Sequence, residues 1–173
     1  IVKNGQAVFM NGGTTNVEAA GFLAETYGRL TIISNNLTVL DMCRRKKEFQ
    51  LILAGGVYYE PENTVIGKQV EQDVAMYNAD IAVLSVNSIS LKKGITDFRM
   101  EESGIINAMI GNAEKAVAVA DSSKFERVAH INVCPIRSIS CFLTDSSMDS
   151  EAFATYKKHG VEIIMPGEDA AQI

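Results

Sequence analysis

The sequence predicts an α/β domain with a mostly parallel sheet and helices on both of its faces, in a Rossmann-like arrangement. Short, almost continuously apolar segments alternate along the chain with segments whose apolar residues recur at helical spacing. Strands that are apolar throughout, without polar alternation, are typical of parallel sheets that helices cover on both sides. With 173 residues, no internal repeat and no Pro-rich linker, the chain is predicted to form one domain over residues 1–173.

Seven segments are predicted as strands and five as helices. The predicted strands are residues 6–11, 30–34, 50–54, 80–86, 115–120, 139–144 and 161–165. The predicted helices are residues 15–27, 37–47, 67–77, 101–112 and 149–159. In the first helix, apolar residues recur at helical spacing until Gly28 supplies a stop.

Composition and charge exclude several classes of protein. Apolar residues make up 47% of the chain and charged residues 21%, which is ordinary for a globular domain and not for a disordered one. No apolar run approaches the roughly 20 residues that a membrane-spanning helix needs. The net charge of −5 disfavours nucleic-acid binding by these residues. The basic run 44–47 ends a predicted helix, where cations complement the helix dipole.

The cysteines and histidines give no sign of a disulfide framework or a metal site. Cys43, Cys134 and Cys141 include no close pair, which predicts a reducing, cytoplasmic setting, with Cys43 in the core. His130 and His159 lie in different segments without a matching cluster of metal ligands. We therefore expect no metal and no cofactor. The chain begins without methionine or a signal-peptide pattern, so we expect it to be a segment of a longer protein.

The loop after the first predicted strand, Asn11-Gly12-Gly13-Thr14-Thr15, has the composition of a phosphate cradle. A Gly-Gly turn that leads from a strand into a helix lets backbone N–H groups approach an anion closely. The two threonines add hydroxyl donors at the positive end of that helix. A structural interpretation is equally open for this loop alone, because any tight strand-to-helix turn favours glycine and a helix cap.

The other predicted strand ends carry small, hydroxylated, amide or charged residues. They are Ser34-Asn35-Asn36, Gly55-Gly56, the polar segment 92–102 with Asp97 and Glu102, and Asp121-Ser122-Ser123-Lys124-Phe125. In open α/β sheets, ligands bind beyond the carboxyl ends of the strands, where such loops converge. Backbone amides and hydroxyls suit a phosphate, lysine adds charge, and Asn, Asp and Glu suit hydroxyl groups. The loops together predict a site for a small polyol with an anionic end.

Each of these loops also has a purely structural interpretation. Asn35-Asn36 fits a cap of the next helix, Gly55-Gly56 fits a turn, and Asp121 fits an N-cap. The ligand site is favoured because the structural interpretation requires a separate coincidence at each of five strand ends.

Several short motifs, taken together, resemble one protein family. In order they are Asn-Gly-Gly-Thr-Thr, Ser-Asn-Asn, Leu-Ala-Gly-Gly, Val-Ile-Gly-Lys, Gly-Ile-Thr-Asp, Ala-Met-Ile and Ala-Asp-Ser-Ser-Lys-Phe. Their order and spacing over about residues 5–146 are similar to the C-terminal effector-sensing domain of DeoR-family bacterial transcription regulators. The resemblance implies a fold like that of ribose-5-phosphate isomerase and CoA transferases. It also implies a non-enzymatic repressor domain that senses a phosphorylated sugar, while a winged helix-turn-helix ahead of it binds DNA.

The resemblance assigns roles to individual residues. It implies that Gly13, Thr14 and Thr15 hold the phosphate together with Lys124, that Asn35 and Asn36 line the same rim, and that Asp97 and Glu102 face sugar hydroxyls. The full predicted effector-binding set is Asn11, Gly12, Gly13, Thr14, Thr15, Ser34, Asn35, Asn36, Gly55, Gly56, Asp97, Glu102 and Lys124. No catalytic residue is assigned. The expected assembly is a homodimer or homotetramer without membrane contact, because operators are commonly paired half-sites.

Two residues depart from the pattern of this family. The family usually has aspartate at the position of Asn11, and usually has lysine at the position of Ile106, four residues after Glu102. Asparagine can donate as well as accept hydrogen bonds, and isoleucine removes a cation. Both changes predict an altered effector. The segment 58–63 is expected to be a poor strand or helix, and is interpreted either as a mobile cover of the site or as an ordinary surface connection.

Two alternatives to a sensor remain. A sugar-phosphate isomerase would use Glu102 as base with Asp97 and Lys124 nearby. The segment 87–90, Asn-Ser-Ile-Ser, lacks the acids that the isomerases carry after their fourth strand. The other alternative is an oligomerisation module whose pocket is empty.

Overall fold

The computed structural model describes residues 1–167, which form twelve strands and five helices. The strands are β1 (Ala7–Met10), β2 (Thr31–Ser34), β3 (Gln50–Leu53), β4 (Val57–Tyr59), β5 (Thr64–Ile66), β6 (Ala79–Ser85), β7 (Ser88–Ser90), β8 (Gly94–Asp97), β9 (Ala113–Val119), β10 (Ile131–Cys134), β11 (Cys141–Leu143) and β12 (Ile163–Ile164). The helices are α1 (Thr14–Thr26), α2 (Leu37–Cys43), α3 (Lys68–Val74), α4 (Met100–Gly111) and α5 (Ser150–Lys158).

Seven strands form one parallel sheet in the order β12-β11-β9-β6-β1-β2-β3. The chain passes from β1 to β2 and β3 on one side and then crosses to β6 on the other side of β1. The carboxyl ends of β1 and β6 therefore form a topological switch point, at which the flanking loops separate and leave a crevice. This is the feature of the fold that creates the site described below.

Helices cover both faces of the sheet, as the sequence predicts. Val8, Phe9 and Met10 of β1 are fully buried, and alternate side chains of the strand enter different hydrophobic clusters. Apolar residues of α1 and α2 pack with Val8 and Met10, whereas those of α3, α4 and α5 belong to the cluster of Phe9. Burial of apolar surface on both faces is the main stabilising contribution, which explains why this strand contains no polar residue.

All seven predicted strands and all five predicted helices are confirmed, with bounds shifted by a few residues. The largest shift is in α2, predicted as 37–47, which ends at Cys43. After Cys43 the chain forms two turns, in which the Lys46 N–H donates to the Cys43 carbonyl and the Phe49 N–H donates to the Lys46 carbonyl. Phe49 is buried just before β3 begins. The basic run 44–47 thus follows the helix. Cys43 is buried in the core as predicted, and the three cysteines are unpaired.

Two small antiparallel sheets were not predicted. They are β10-β8-β7 and the hairpin β4-β5. The expectation that the segment 58–63 is a poor strand or helix is wrong, because β4 continues to Tyr59 and a 3₁₀ turn over Glu60–Glu62 follows it. Asn63 completes the connection with a φ of 49°, a left-handed conformation that asparagine tolerates. Within residues 1–167, every helix falls short of the length and apolarity needed to cross a bilayer.

Candidate functional site

A cavity of about 370 Å³ lies at the switch point of the sheet. Its lining comes from the loops after β1, β6, β8 and β9 and from the tip of the β4-β5 hairpin. These residues are Gly12, Gly13, Thr14, Thr15, Glu62, Ser85, Val86, Asn87, Phe98, Arg99, Asp121 and Lys124. Five members of the predicted binding set, Gly12 to Thr15 and Lys124, therefore meet at one hollow.

The loop after β1 presents backbone N–H groups to this cavity. Gly13 has a φ of 127°, a conformation that residues with a Cβ rarely adopt. A Cβ at this position would also lie 2.7 Å from the Cβ of Ser85 on the neighbouring strand end. α1 begins at the next residue, and no side chain caps its N-terminus within the described chain. The first-turn N–H groups and the helix dipole thus remain available to an anion in the cavity.

Asn11 does not line the cavity; its side chain ties the end of β1 to the end of β6. Its Oδ1 accepts a hydrogen bond from the Ser85 N–H at 2.8 Å, and its Nδ2 donates to the Ser85 carbonyl at 3.0 Å. The Nδ2 of buried Asn16 also donates to Asn11 Oδ1, at 2.9 Å. The amide of Asn11 therefore uses both its donor and its acceptor, which a carboxylate at this position could not do.

Asn11→Asp is expected to lower the free energy of unfolding by about 2 kcal/mol or more at neutral pH. A carboxylate oxygen would replace the donor that faces the Ser85 carbonyl, which leaves two acceptors opposed in a buried position. Urea unfolding measures the change. The matched control is Asn4→Asp, since exposed Asn4 accepts from the Arg29 N–H, a role that a carboxylate fulfils. Equal stability of Asn11→Asp and wild type would contradict the donor role.

Two cations face the cavity, and each is paired with carboxylates of the same chain. Lys124 Nζ lies 3.8 Å from Asp121 Oδ2. Arg99 Nη1 lies 3.0 Å from Glu62 Oε1, and Arg99 Nε lies 3.8 Å from Asp97 Oδ1. The carboxylates of Asp121 and Glu62 are partly exposed, and such pairs are typically worth about 0–1 kcal/mol. An anion with several acceptor oxygens can therefore displace these two carboxylates at low cost.

Asp121 is also the N-cap that its position in the sequence predicts. It caps the 3₁₀ turn over Ser122–Lys124 by accepting a hydrogen bond from the Ser123 N–H at 3.0 Å. Asp145 in turn accepts from the Ser122 N–H at 2.7 Å, and this bond is the main reason why the pKa of the Asp145 carboxyl is lowered. These contacts fix the turn that brings Lys124 to the cavity.

Ser34, Asn35 and Asn36 are buried and use their side chains within the fold. Asn36 caps α2 by accepting from the Val39 N–H at 3.0 Å, as the structural interpretation predicts. Asn35 Nδ2 donates to Thr64 Oγ1 and to the Val65 carbonyl, both at 3.0 Å. Ser34 Oγ accepts from the Asn36 N–H. The three residues hold the β4-β5 hairpin and α2 against the end of β2, outside the lining of the cavity.

Gly55 and Gly56 form the turn between β3 and β4 and also lie outside the lining. The Gly55 N–H donates to Asp73 Oδ2 at 2.7 Å, so the turn is tied to α3. A Cβ on Gly56 would lie 2.6 Å from the Ile66 carbonyl oxygen across the hairpin. These contacts support the interpretation of this pair as a turn that needs close backbone approach.

Asp97 is buried outside the lining of the cavity, and both of its carboxylate oxygens are engaged. Oδ1 accepts from the N–H groups of Phe98 and Arg99 at 2.6 and 3.0 Å, and Oδ2 accepts from Asn87 Nδ2 at 2.7 Å. The residue therefore shapes the loop that leads from β8 into α4. Its side chain orients Asn87 and Arg99, which line the cavity.

Glu102 lies in the first turn of α4 and is only 2% exposed. Its Oε2 has no hydrogen-bond partner among the described residues. Burial raises the pKa of the carboxyl, while the charge of Arg99 and a hydrogen bond with Asn11 act in the opposite direction. Leaving such a group unpartnered costs about 1–3 kcal/mol. Glu102 lines a separate, smaller cavity of about 110 Å³ and not the larger one.

Sequence reasoning did not include several residues of the cavity in the binding set. Asn87 follows β6, a predicted strand of the main sheet, so its position is a usable signal, whereas Arg99 follows β8, which the sequence does not predict. Glu62 reaches the cavity from the hairpin tip, and no local pattern indicates that approach. Ser85 contributes through its backbone contact with Asn11 and through its closeness to Gly13.

Comparison with protein families gives a match over most of the chain. The family model described as the DeoR C terminal sensor domain matches residues 1–146. The HTH-type transcriptional repressor CsqR of Escherichia coli K12 is 26% identical over 98% of this chain and 64% of its own length. The glycerol-3-phosphate regulon repressor of the same strain is 26% identical over 94% of this chain and 64% of its own length. The chain thus spans a little under two thirds of the length of these relatives.

Solved structures show the same fold at low sequence identity. A chain of the tetrameric eIF2B-beta2-delta2 complex from Chaetomium thermophilum superposes with a TM-score of 0.56 at 12% identity. The match covers 82% of this chain and 49% of that chain.

Proposed function

Since the chain belongs to the family of DeoR C-terminal sensor domains, we propose that it binds a phosphorylated sugar or sugar-derived effector at the switch-point cavity. One observation carries this proposal. The uncapped N-terminus of α1, the hydroxyls of Thr14 and Thr15, and the ammonium of Lys124 converge on one hollow. Backbone N–H groups at a helix N-terminus together with a lysine are a common arrangement for binding phosphate.

The class of ligand is supported by the rest of the lining and by the relatives. Asn87, Ser85 and Arg99 supply polar groups for hydroxyls beside the phosphate position. One relative is named as the repressor of a glycerol-3-phosphate regulon, and glycerol 3-phosphate is a phosphorylated polyol. In the proposed complex, phosphate oxygens replace Asp121 at Lys124 and accept from the N–H groups of the first turn of α1.

Control of DNA binding is the proposed output. The relatives are transcriptional repressors, and one is named as helix-turn-helix type. We propose that the intact protein works in the cytoplasm as a dimer or tetramer, and that ligand binding changes how its DNA-binding parts are spaced. The ligand can shift this equilibrium by no more than its preference for one state over the other.

An isomerase is disfavoured by the positions of the three groups that it would require. Proton transfer between carbons needs Glu102, Asp97 and Lys124 to converge on the substrate. Lys124 lines the larger cavity, Glu102 lines the smaller one, and Asp97 is held by three hydrogen-bond donors. The relatives are repressors, which also supports a binding function.

A thermal-shift screen against sugar phosphates tests the proposed function. A ligand present at 100 times its Kd is expected to add about 2.7 kcal/mol to the free energy of unfolding. The control panel contains the corresponding sugars without phosphate, which lack the group that the α1 N-terminus and Lys124 bind. The proposal is wrong if no sugar phosphate raises the melting temperature, and an oligomerisation module with an empty pocket would then be favoured.

A further inference from the structure

β3 is an edge strand of the main sheet, and one side of its backbone faces away from the sheet. The Gln50 N–H donates to the Leu30 carbonyl, across the ladder with β2. In a parallel ladder each residue directs both its N–H and its C=O to one side, and the next residue directs both to the other side. The N–H and C=O groups of Leu51 and Leu53 therefore point outward, where no strand within residues 1–167 pairs with β3.

Exposed apolar side chains accompany this open edge. Leu53 of β3 is 47% exposed, and Val57, Tyr58 and Tyr59 of β4 are exposed as well. We call these four residues the edge patch. Proteins normally protect an open edge with charge, proline or a bulge, because unpaired strand groups bind other strands. β3 carries none of these, since its sequence is Gln-Leu-Ile-Leu and its ladder with β2 is regular. The edge is therefore suited to pairing with a further strand.

An open groove runs beside β3, between this strand and α2. Its volume is about 460 Å³, and Leu37, Leu40 and Leu51 supply its apolar lining. Side chains of a strand alternate between the two faces of the sheet. Leu51 packs with the cluster on the face of α1 and α2, and Ile52 packs with the opposite cluster, so Leu53 points to the same face as the groove. One face of this edge thus carries both an exposed leucine and an apolar groove.

These two features are complementary when a second copy of the chain pairs its β3 antiparallel to the first. With Ile52 opposite Ile52 of the second copy on a twofold axis, Leu51 of each copy lies opposite Leu53 of the other. Because these leucines carry the outward N–H and C=O groups, the two pairs exchange about four hydrogen bonds in all. Opposite residues point to the same face with Cβ atoms about 4.5–5.5 Å apart, so Leu53 of each copy enters the groove beside Leu51 of the other.

The charges at the two ends of β3 favour this antiparallel arrangement. The basic run 44–47 precedes β3, and the acidic turn Glu60–Glu62 follows β4, beyond the carboxyl end of β3. Antiparallel pairing brings the amino end of β3 in one copy next to the carboxyl end in the other, so the basic run of each copy lies on the side of its partner's acidic turn. Parallel pairing would place like charges side by side, which is unfavourable.

We propose that β3 is the surface through which two copies of this chain form a dimer, in which antiparallel β3 strands join the two main sheets into one continuous sheet. The proposed function leaves open which surface joins the copies, and it does not depend on this interface. Leu51 and Leu53 lie outside the lining of the switch-point cavity, so the dimer and the ligand site use different residues. A contact of this symmetry is closed and does not grow into a fibre.

Sedimentation velocity of the 173-residue chain tests the interface. Wild type is expected to be a dimer at about 10–100 μM protein, and Leu53→Lys is expected to raise the Kd of the dimer at least about tenfold. Each copy of this variant would place an ammonium in the apolar groove of the other, close to Arg44, whereas in the monomer the same side chain extends into solvent. The matched control is Val128→Lys, since Val128 is 58% exposed and lies before β10, outside the edge patch.

Cysteine cross-linking tests the register and covers the case in which Leu53→Lys does not fold. Ile52 lies opposite itself in the proposed pairing at a Cα distance of about 4.5 Å, which a disulfide can span. Ile52→Cys is therefore expected to form a covalent dimer with oxidised glutathione. Gln50→Cys is the matched control, because its two sites lie more than about 10 Å apart along the strands, too far for a bridge. The native cysteines are buried, and wild type measures any background from them.

The outcomes distinguish this inference from the proposed function. If wild type sediments as a monomer, or if Leu53→Lys dimerises as tightly as wild type, β3 is not the interface and the inference is wrong. A covalent dimer of Gln50→Cys and not of Ile52→Cys overturns the register. Leu53→Lys is expected to keep the thermal shift with sugar phosphates, because all lining residues of the cavity come from one copy. Absence of that shift in wild type would contradict the proposed function and leave the dimer unaffected.

Discussion

Lys124→Ala is expected to weaken the binding of sugar phosphates about 10- to 100-fold and to leave the melting temperature nearly unchanged. A charge-assisted hydrogen bond to phosphate is worth about 1.5–3 kcal/mol, which corresponds to this range of Kd. The variant also leaves Asp121 without its cation, 3.8 Å away in the wild type, so the phosphate would meet an uncompensated carboxylate. Stability should change by less than about 1 kcal/mol, because the side chain is 37% exposed. Calorimetry and thermal unfolding measure the two effects separately.

The matched control for this prediction is Lys92→Ala. Lys92 is exposed and follows β7, outside the lining of the cavity, so its removal changes the net charge by the same amount without touching the site. Loss of affinity in both variants would indicate a long-range effect of charge, which salt screens. Wild-type affinity in Lys124→Ala would show that the ammonium does not bind the phosphate.

The main sheet could be predicted from the sequence because its strands are covered on both faces. A strand such as β1 must be apolar throughout to be buried between α1 and α4, and this leaves a clear pattern. The order of the strands in the sheet has no comparable signature in the sequence, because it depends on which strands pair with each other after the chain crosses from one side of β1 to the other. The switch point between β1 and β6, which creates the cavity, was therefore known only from the structure.

The small antiparallel sheets were missed for a related reason. β7 and β8 carry serine, glycine, threonine and aspartate, and each is four residues or shorter. One of their polar side chains has a partner distant in sequence: the Ala129 N–H donates to Thr96 Oγ1 at 2.8 Å. Local composition predicts a polar loop for such a segment, and only tertiary pairing makes it a sheet.

Part of the candidate site followed from a general property of parallel sheets. Gly12 to Thr15 and Lys124 follow strands that lie near one another in the sheet. Because loops at the carboxyl ends of neighbouring parallel strands converge, the sequence was enough to predict that these residues meet at one cavity. The loop after β2 satisfies the same rule, yet its asparagines point into the fold. An asparagine that binds a hydroxyl and one that caps a helix have the same chemistry, so the sequence leaves this choice open.

Gly13→Ala is expected to lower the free energy of unfolding by about 2–5 kcal/mol, the largest stability effect among the variants considered for this chain. The backbone conformation at this residue is strained for any side chain, and the added Cβ would contact both Oγ and Cβ of Ser85. Relief of the contact would require β1 and β6 to separate where Asn11 joins them. Urea unfolding followed by circular dichroism measures the loss.

Two further variants separate the contributions to this loss. Gly111→Ala is the matched control, because nothing lies within 4 Å of its Cβ position at the end of α4, and alanine there should stabilise by about 0.4–1 kcal/mol. Ser85→Gly removes both atoms that the new Cβ would meet. In the double variant Gly13→Ala with Ser85→Gly, the steric part of the loss should disappear and the backbone strain should remain. Strict additivity of the two single changes would contradict the contact, since residues that do not touch contribute independently.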